Sequence, residues 1–307
     1  MAKKNQYVVG LDLGADNCTL VALHAQKSQI EIVGRTQIDS GWRRGNLEMG
    51  EGLHGWLSEL KLDKGVKAVA ASVSGTRSML HLAELDPALP LEDAVRFEAR
   101  TWLGKSESDY WINSLPHGNG AHNESAQLIA ATPKAAVNTL RSVLDSAGMP
   151  LSEVSIDIVA AANAFEINYP SWTDRLVAVV LADNRSLQIF WTQERKFMGH
   201  GIVLAQSANP ADELSLEGAK ALQAGLGLQK GAPDNLAGVF LCGELSGATG
   251  FSSRLGSGLR ADVRLLDAFA AIPFPSAESM TEQLSEISPR CATALGLALS
   301  LSQGDRL

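Results

Sequence analysis

The sequence predicts an α/β protein of two similar lobes built by duplication, with a smaller α+β insertion in the first lobe. Three observations predict it. An order of three strands, a helix and a strand runs from residue 7 and returns after residue 175. The segment Ala15-Asp16-Asn17-Cys18-Thr19-Leu20 returns as Ala182-Asp183-Asn184-Arg185-Ser186-Leu187, an offset of 167. Between the halves lies a stretch whose elements the second half lacks, which sets a first lobe at 1–74, an insertion at 75–152 and a second lobe at 153–307. Near the C-terminus the chain is expected to return to the first lobe.

Each element has a local reason. Tyr7-Val8-Val9-Gly10-Leu11-Asp12-Leu13 is an apolar run of strand length, and Gly14-Ala15-Asp16-Asn17 follows as a turn. Asp and Asn tolerate positive φ, so a tight hairpin to the strand Thr19–Leu23 is expected. Ile30–Thr36 is a third strand, and residues 51–60 place Leu53, Trp56, Leu57 and Leu60 on one helical face. Lys67–Val73 is a strand again. Arg77–Leu85 opens the insertion as a strand. Pro90-Leu91-Glu92-Asp93 then starts a helix, with proline at its first position and acids where its dipole is positive. Asp109–Leu115 and Ala126–Ala131 pair across a polar loop that holds His117 and, near its end, His122. Thr132-Pro133 caps a helix carrying Val137, Leu140, Leu144 and Ala147, which Gly148 ends. In the second half the strands are 176–182, 186–191 and 196–202, then a helix from 211 to 224, started by Asn209-Pro210 and stopped by Gly225, and the strand 238–242.

Composition excludes several classes of function. Apolar residues make up 45% and charged residues 20%, so neither disorder nor a fibrous repeat is expected. The 26 basic residues against 34 acidic ones give a net charge of −8, which argues against a protein held on nucleic acid by its overall charge. The longest apolar run, Cys291–Leu301, is shorter than the roughly 20 residues that cross a bilayer, and the first residues do not read as a signal peptide. Cys18, Cys242 and Cys291 are too far apart to form a disulfide framework or a zinc site. Neither the six histidines nor any Gly-x-Ser-x-Gly elbow offers metal or hydrolase chemistry. Cys242 reads as core, and Arg43-Arg44 as an exposed loop. A soluble, cytoplasmic protein is expected.

Two facing halves, each opening with strand, turn and strand, suit a nucleotide clamped between paired turns. Small residues there let backbone N–H groups reach the phosphates, and an aspartate in each first strand holds the metal. The first half supplies Asp12 and Gly14, with Ala15, Asp16 and Asn17 at the tip. An ordinary hairpin with Asp12 capping its turn is the alternative, since Asp-x-Gly is short and common.

Gly10-Leu11-Asp12-Leu13-Gly14 resembles the first phosphate motif of the actin-like ATPase superfamily. Val69 to Gly75, Ala94 to Arg100, Leu140 to Gly148 ahead of Val154–Ile158, and Ala294–Leu299 resemble the PilM family of type IV pilus assembly proteins, in order and spacing. The resemblance covers residues 7 to 301. It implies an actin-like two-lobed fold and a scaffold at the cytoplasmic face of the inner membrane. In the family, a groove between the first lobe and the inserted subdomain takes up the short N-terminal tail of the membrane protein PilN. On this resemblance, Arg96 and Arg100, four apart on one helix face, are candidate contacts to such a tail. Contacts to other pilus assembly components follow from it too, and self-association is left open.

The departures bear on the nucleotide. At the offset of 167, Asp12 falls on Val179 and Gly14 on Leu181, where the superfamily has Asp-Ile-Gly. Only Asp183 nearby could take over the acid's part. The family's adenosine-contacting Glu and Lys fall on Lys220 and Gln223, and its Gly-Gly pair on Gly243-Glu244. The lysine usual after the first turn is replaced near Cys18-Thr19. The expected cofactor is therefore none, or ATP with magnesium held weakly by Asp12, Gly14, Ala15, Asp16, Asn17, Asp183 and Gly243, with no turnover. The alternatives are an ATP-binding ATPase or sugar kinase of the same fold, and the cytoplasmic part of a type II secretion component.

Overall fold

A computed structural model describes residues 6–27, 29–39, 42, 48–62, 65–116, 126–228, 236–257, 259, 261–272 and 281–303. Arg43-Arg44 and the loop with His117 and His122 lie outside the described residues.

In chain order the first lobe has β1 (Tyr7–Leu13), β2 (Asn17–His24), β3 (Ile30–Gln37), α1 (Glu48–Glu59) and β4 (Val66–Val73). The insertion follows with β5 (Met79–Glu84), α2 (Leu91–Leu103), β6 (Tyr110–Pro116), β7 (Ala126–Pro133) and α3 (Lys134–Ser146). Then come β8 (Leu151–Ile156) and α4 (Asp157–Asn168). The second lobe has β9 (Val177–Asp183), β10 (Ser186–Gln193), β11 (Lys196–Leu204), α5 (Pro210–Leu228) and β12 (Gly238–Cys242). The chain continues with α6 (Phe251–Leu255), β13 (Val263–Leu265), α7 (Thr281–Ile287) and α8 (Ala292–Gln303).

The two large sheets have the same plan, β3-β2-β1-β4-β8 and β11-β10-β9-β12-β13. In each, three antiparallel strands are followed by two parallel ones. The duplication is therefore visible in strand order. Its register differs from the expected one. Asp12 lies opposite Thr19, and Leu181 opposite Gln188, so the hairpins superpose at an offset of 169. The shared Ala-Asp-Asn misled by two residues, because it forms the tip of one turn and the end of a strand in the other. None of Ala15, Asp16, Asn17, Asn184 or Arg185 has positive φ. That conformation occurs instead at Glu194 (φ 53) and Arg195 (φ 59), between β10 and β11.

Two helices join the lobes. α4 packs against β9 and β10 of the second sheet, and α8 against β1, β2 and β4 of the first, while α4 and α8 pack on each other. One continuous core includes Leu11 and Val69, Phe165 of α4, Leu295 of α8, and Val179 and Phe240 of the second sheet. Ala178, Val180 and Ala182 point to the other side of that sheet, against Leu214 and Leu222 of α5. Buried on both faces, β9 reads as an unbroken apolar run and not as an alternating one. The approach of α8 is close. A Cβ at Gly10 would stand 1.9 Å from the Ala294 carbonyl oxygen, and one at Gly296 would stand 1.8 Å from that of Ala160.

Some local expectations are corrected. α5 runs through Gly225 to Leu228, because Gly225 lies against the Trp191 indole and does not stop the helix. The Thr132 hydroxyl donates to Ser78 Oγ (3.1 Å) instead of capping α3, whose N-cap is Pro133. The insertion's sheet has the order β5-β7-β6, with a separate small core around Ala94, Val95 and Ile129.

Candidate functional site

Two regions collect the candidate residues: the cleft between the lobes, and a groove beside the insertion. In the cleft, β1 brings Asp12 to the face toward α8, and Ser72 Oγ of β4 donates to its Oδ1 at 2.5 Å. Asp12 thus ties two parallel strands together. The Gly14 N–H donates to the Asn17 carbonyl at 2.8 Å, and Trp42 Nε1 donates to the Gly14 carbonyl at 3.0 Å. Ala15 and Asp16 form the tip. At the observed register the counterpart of Asp12 is Leu181, which is buried, and the counterpart of Gly14 is Asp183. Val179 corresponds to Gly10, not to Asp12. The second strand presents an apolar side chain where the first presents an acid, and an acid where the first has a glycine.

The two turns meet. Asn184 Nδ2 donates to both carboxylate oxygens of Asp16, at 2.8 and 2.8 Å. Nearby, the Arg35 guanidinium of β3 pairs with Glu244, just after β12, and Arg290 Nε lies 3.9 Å from the same carboxylate. Two guanidinium groups thus flank the Glu244 carboxylate. Gly243 has φ 92, and its N–H donates to the Pro289 carbonyl at 3.0 Å. Lys220 and Gln223 are exposed on α5, and Lys220 pairs with Glu217 at 2.7 Å.

Burial pushes the Cys242 thiol well up, with further contributions from Asp183, Asp12 and Asp157 in that order. Burial likewise pushes up Cys18, next to Asp12. Neither is poised as a thiolate nucleophile. Asp157, a buried carboxylate at the start of α4, was not singled out as a site residue in the sequence. It accepts from the Gly75 N–H (2.8 Å), the Ile158 N–H (2.7 Å) and Gln188 Nε2 (3.1 and 3.0 Å), so it joins β10 to the end of β4. The signal was its place directly after a strand, at a helix start. Among the described residues no group of three or more His, Cys, Asp or Glu could hold a metal ion.

The groove is a cavity of about 900 Å³ between the inserted sheet and the elements β8 and α4. Trp111, Asn113 and Leu115 of β6 lie opposite Thr132, Ala130 and Leu128 of β7, and Leu80 of β5 lies opposite Ala130, so the groove covers one face of the inserted sheet as far as its outer strand β6. Leu128 and Ala130 of β7, Val154 and Ile156 of β8, and Val159 and Ile167 of α4 make it mainly apolar. Glu166 of α4 and Arg195, from the β10–β11 turn, add charge. Burial pushes the Glu166 carboxyl up to about 7, against the pull of Arg195. Arg96 and Arg100 are exposed on α2, where Arg96 pairs with Glu92 (2.9 Å) and Arg100 with Glu107. Neither is among the residues lining the groove.

No protein-family model matches the sequence, and no curated protein does. Solved structures do. A chain of a PilM–PilN type IV pilus biogenesis complex is 20% identical with a TM-score of 0.81, covering 97% of this chain and 99% of that one. The cytoplasmic domain of EpsL, an inner membrane component of the type II secretion system of Vibrio cholerae, is 14% identical with a TM-score of 0.52, covering 92% and 94%. A Bacteroides thetaiotaomicron protein with an actin-like ATPase fold is 11% identical with a TM-score of 0.53, covering 92% and 95%. Two sheets of one plan, an inserted α+β unit and a likeness that spans nearly the whole of both chains lead to one conclusion: the chain has the actin-like ATPase fold in a PilM-like form.

Proposed function

We propose that the chain is a PilM-like scaffold of a type IV pilus or related secretion machine, which holds the N-terminal tail of a membrane partner in the groove beside the insertion. The observation that carries the reading is the groove itself. It is mainly apolar, about 900 Å³, and lies over one face of the inserted sheet as far as its outer strand β6, a form suited to an extended segment with apolar side chains. The likeness to a chain from a PilM–PilN complex supports the same partner class. Among the described residues no helix is long and apolar enough to cross a membrane.

In this reading the cleft does not turn over nucleotide. Leu181 at the position of the second metal-facing acid, Asp183 at that of a turn glycine, and direct contact of the turns through Asn184 and Asp16 do not fit an ATP–magnesium complex. These features disfavour the kinase and ATPase alternatives, which need charge balance about a bound metal.

The test is calorimetry with the cytoplasmic tail of a small single-span membrane protein encoded beside this chain. Ala130→Arg, which puts a charged side chain into the groove, is expected to weaken binding at least tenfold, or about 1.4 kcal/mol. Binding that survives Ala130→Arg unchanged removes the groove from the reading. Charge reversal at both Arg96 and Arg100 then reports whether the tail extends onto α2, with unchanged affinity confining it to the groove.

A further inference from the structure

We infer that the Asn184–Asp16 hydrogen bonds and the Arg35–Glu244 ion pair are a latch between the lobes, which closes the cleft without nucleotide. This goes beyond the scaffold reading and holds whether or not a tail occupies the groove. A polyanion between the two turns would bridge the lobes by drawing donors from both. Here side chains do the bridging. Asp16 supplies the anion from the first lobe and Asn184 the donor from the second, with both carboxylate oxygens engaged at 2.8 Å. At the second point the polarity reverses: Arg35 brings the cation from the first lobe and Glu244 the anion from the second.

The pairs span 168 and 209 residues of chain, so each closes a long loop between lobes and neither is a local turn contact. The Arg35 and Glu244 side chains are 27% and 20% exposed, so partial burial strengthens their attraction while leaving the pair open enough for molar salt to weaken it. Backbone geometry aims Glu244. Gly243 at φ 92 adopts a conformation that L side chains rarely do, and a Cβ there would stand 2.6 Å from the Ala182 carbonyl oxygen. Arg290 keeps Glu244 compensated from its own side. An incoming phosphate would have to displace Asn184 from Asp16 and approach the Asp12 and Asp183 carboxylates.

Amide hydrogen exchange on the full chain tests the latch, read at the β1–β2 and β9–β10 turns. Arg35→Ala and Glu244→Ala are each expected to speed exchange there roughly threefold or more, with the double variant close to either single one. Asp16→Ala is expected to act in the same direction, while exchange in β5, β6 and β7 stays unchanged. A measurement without variants guards against misfolding: raising NaCl from about 0.05 to about 1 M should speed exchange at both turns of the unaltered protein. ATP with magnesium should not slow it. Turn exchange unmoved by salt and by all three variants overturns the latch. Additive effects of Arg35→Ala and Glu244→Ala overturn their pairing, and slowing by ATP–magnesium overturns closure without nucleotide.

Discussion

Glu166 and His200 carry opposite pH dependences within one molecule. Burial raises the Glu166 carboxyl from 4.5 to about 7, so the folded protein keeps a proton that the unfolded chain releases. Its contribution to stability is full below about 4.5 and is lost as pH rises through about 7. Burial lowers His200 on β11 from 6.5 to about 4, so there the folded state excludes a proton that the unfolded chain binds. That contribution is present above about 6.5 and is lost as pH falls through about 4. The slopes oppose each other across the shared window. Glu166→Gln should make stability rise with pH more steeply than in the unaltered protein, and His200→Gln should make it fall. Each difference should reach on the order of 2 kcal/mol between about pH 4.5 and 6.5, since one pKa unit is about 1.4 kcal/mol. Urea unfolding at a series of pH values checks both, and parallel curves for all three proteins refute the assignment. At this scale the sequence was partly legible. Asp12 and Gly14 announce themselves in a short motif, whereas Asn184–Asp16 and Arg35–Glu244 join residues far apart in the chain and carry no spacing signal.

Among the elements, those with a period or a turn signal were readable, and those with neither were not. The hairpins, α1, α2 and α3 follow from apolar runs, amphipathic spacing and turn residues. α4 and α8 escape because they are apolar nearly all round, as helices buried between two sheets must be, and offer no stripe to detect. β8 and β13 are short and partly polar, and gain their place from parallel pairing with β4 and β12. The same packing makes glycine substitutions diagnostic. Gly10→Ala and Gly296→Ala press a methyl group onto backbone atoms and should each destabilise by about 2–3 kcal/mol, lowering the denaturant midpoint with the slope unchanged. Gly52 in α1 has nothing within 4 Å of its missing Cβ, so Gly52→Ala should stabilise by about 0.5–1 kcal/mol. If all three shift stability the same way, the close approach of α8 is not what constrains Gly10 and Gly296.

For the whole molecule, the crossing of α4 and α8 makes two lobes into one cooperative unit. The continuous core takes side chains from both large sheets, so neither lobe can lose its packing without exposing the other's. Calorimetric and van't Hoff enthalpies for the main transition should agree. Two separate transitions divided between the large sheets would contradict the shared core. The insertion should behave differently. Its sheet has small cores of its own, and its amides in β5, β6 and β7 should exchange before those of β1 and β9.

The placement of α8 on β1, β2 and β4 also has a consequence for how the protein is made. Strands β1, β2 and β4 leave the ribosome early, yet residues 292–303, the helix that covers one of their faces, are translated more than two hundred codons later. At elongation speeds of roughly 5–20 residues per second that delay is roughly tens of seconds. Through all of it the Gly10 face of β1 lacks its cover. The nascent chain is therefore expected to need a chaperone, or provisional burial of that face, until the last helix emerges to seat itself.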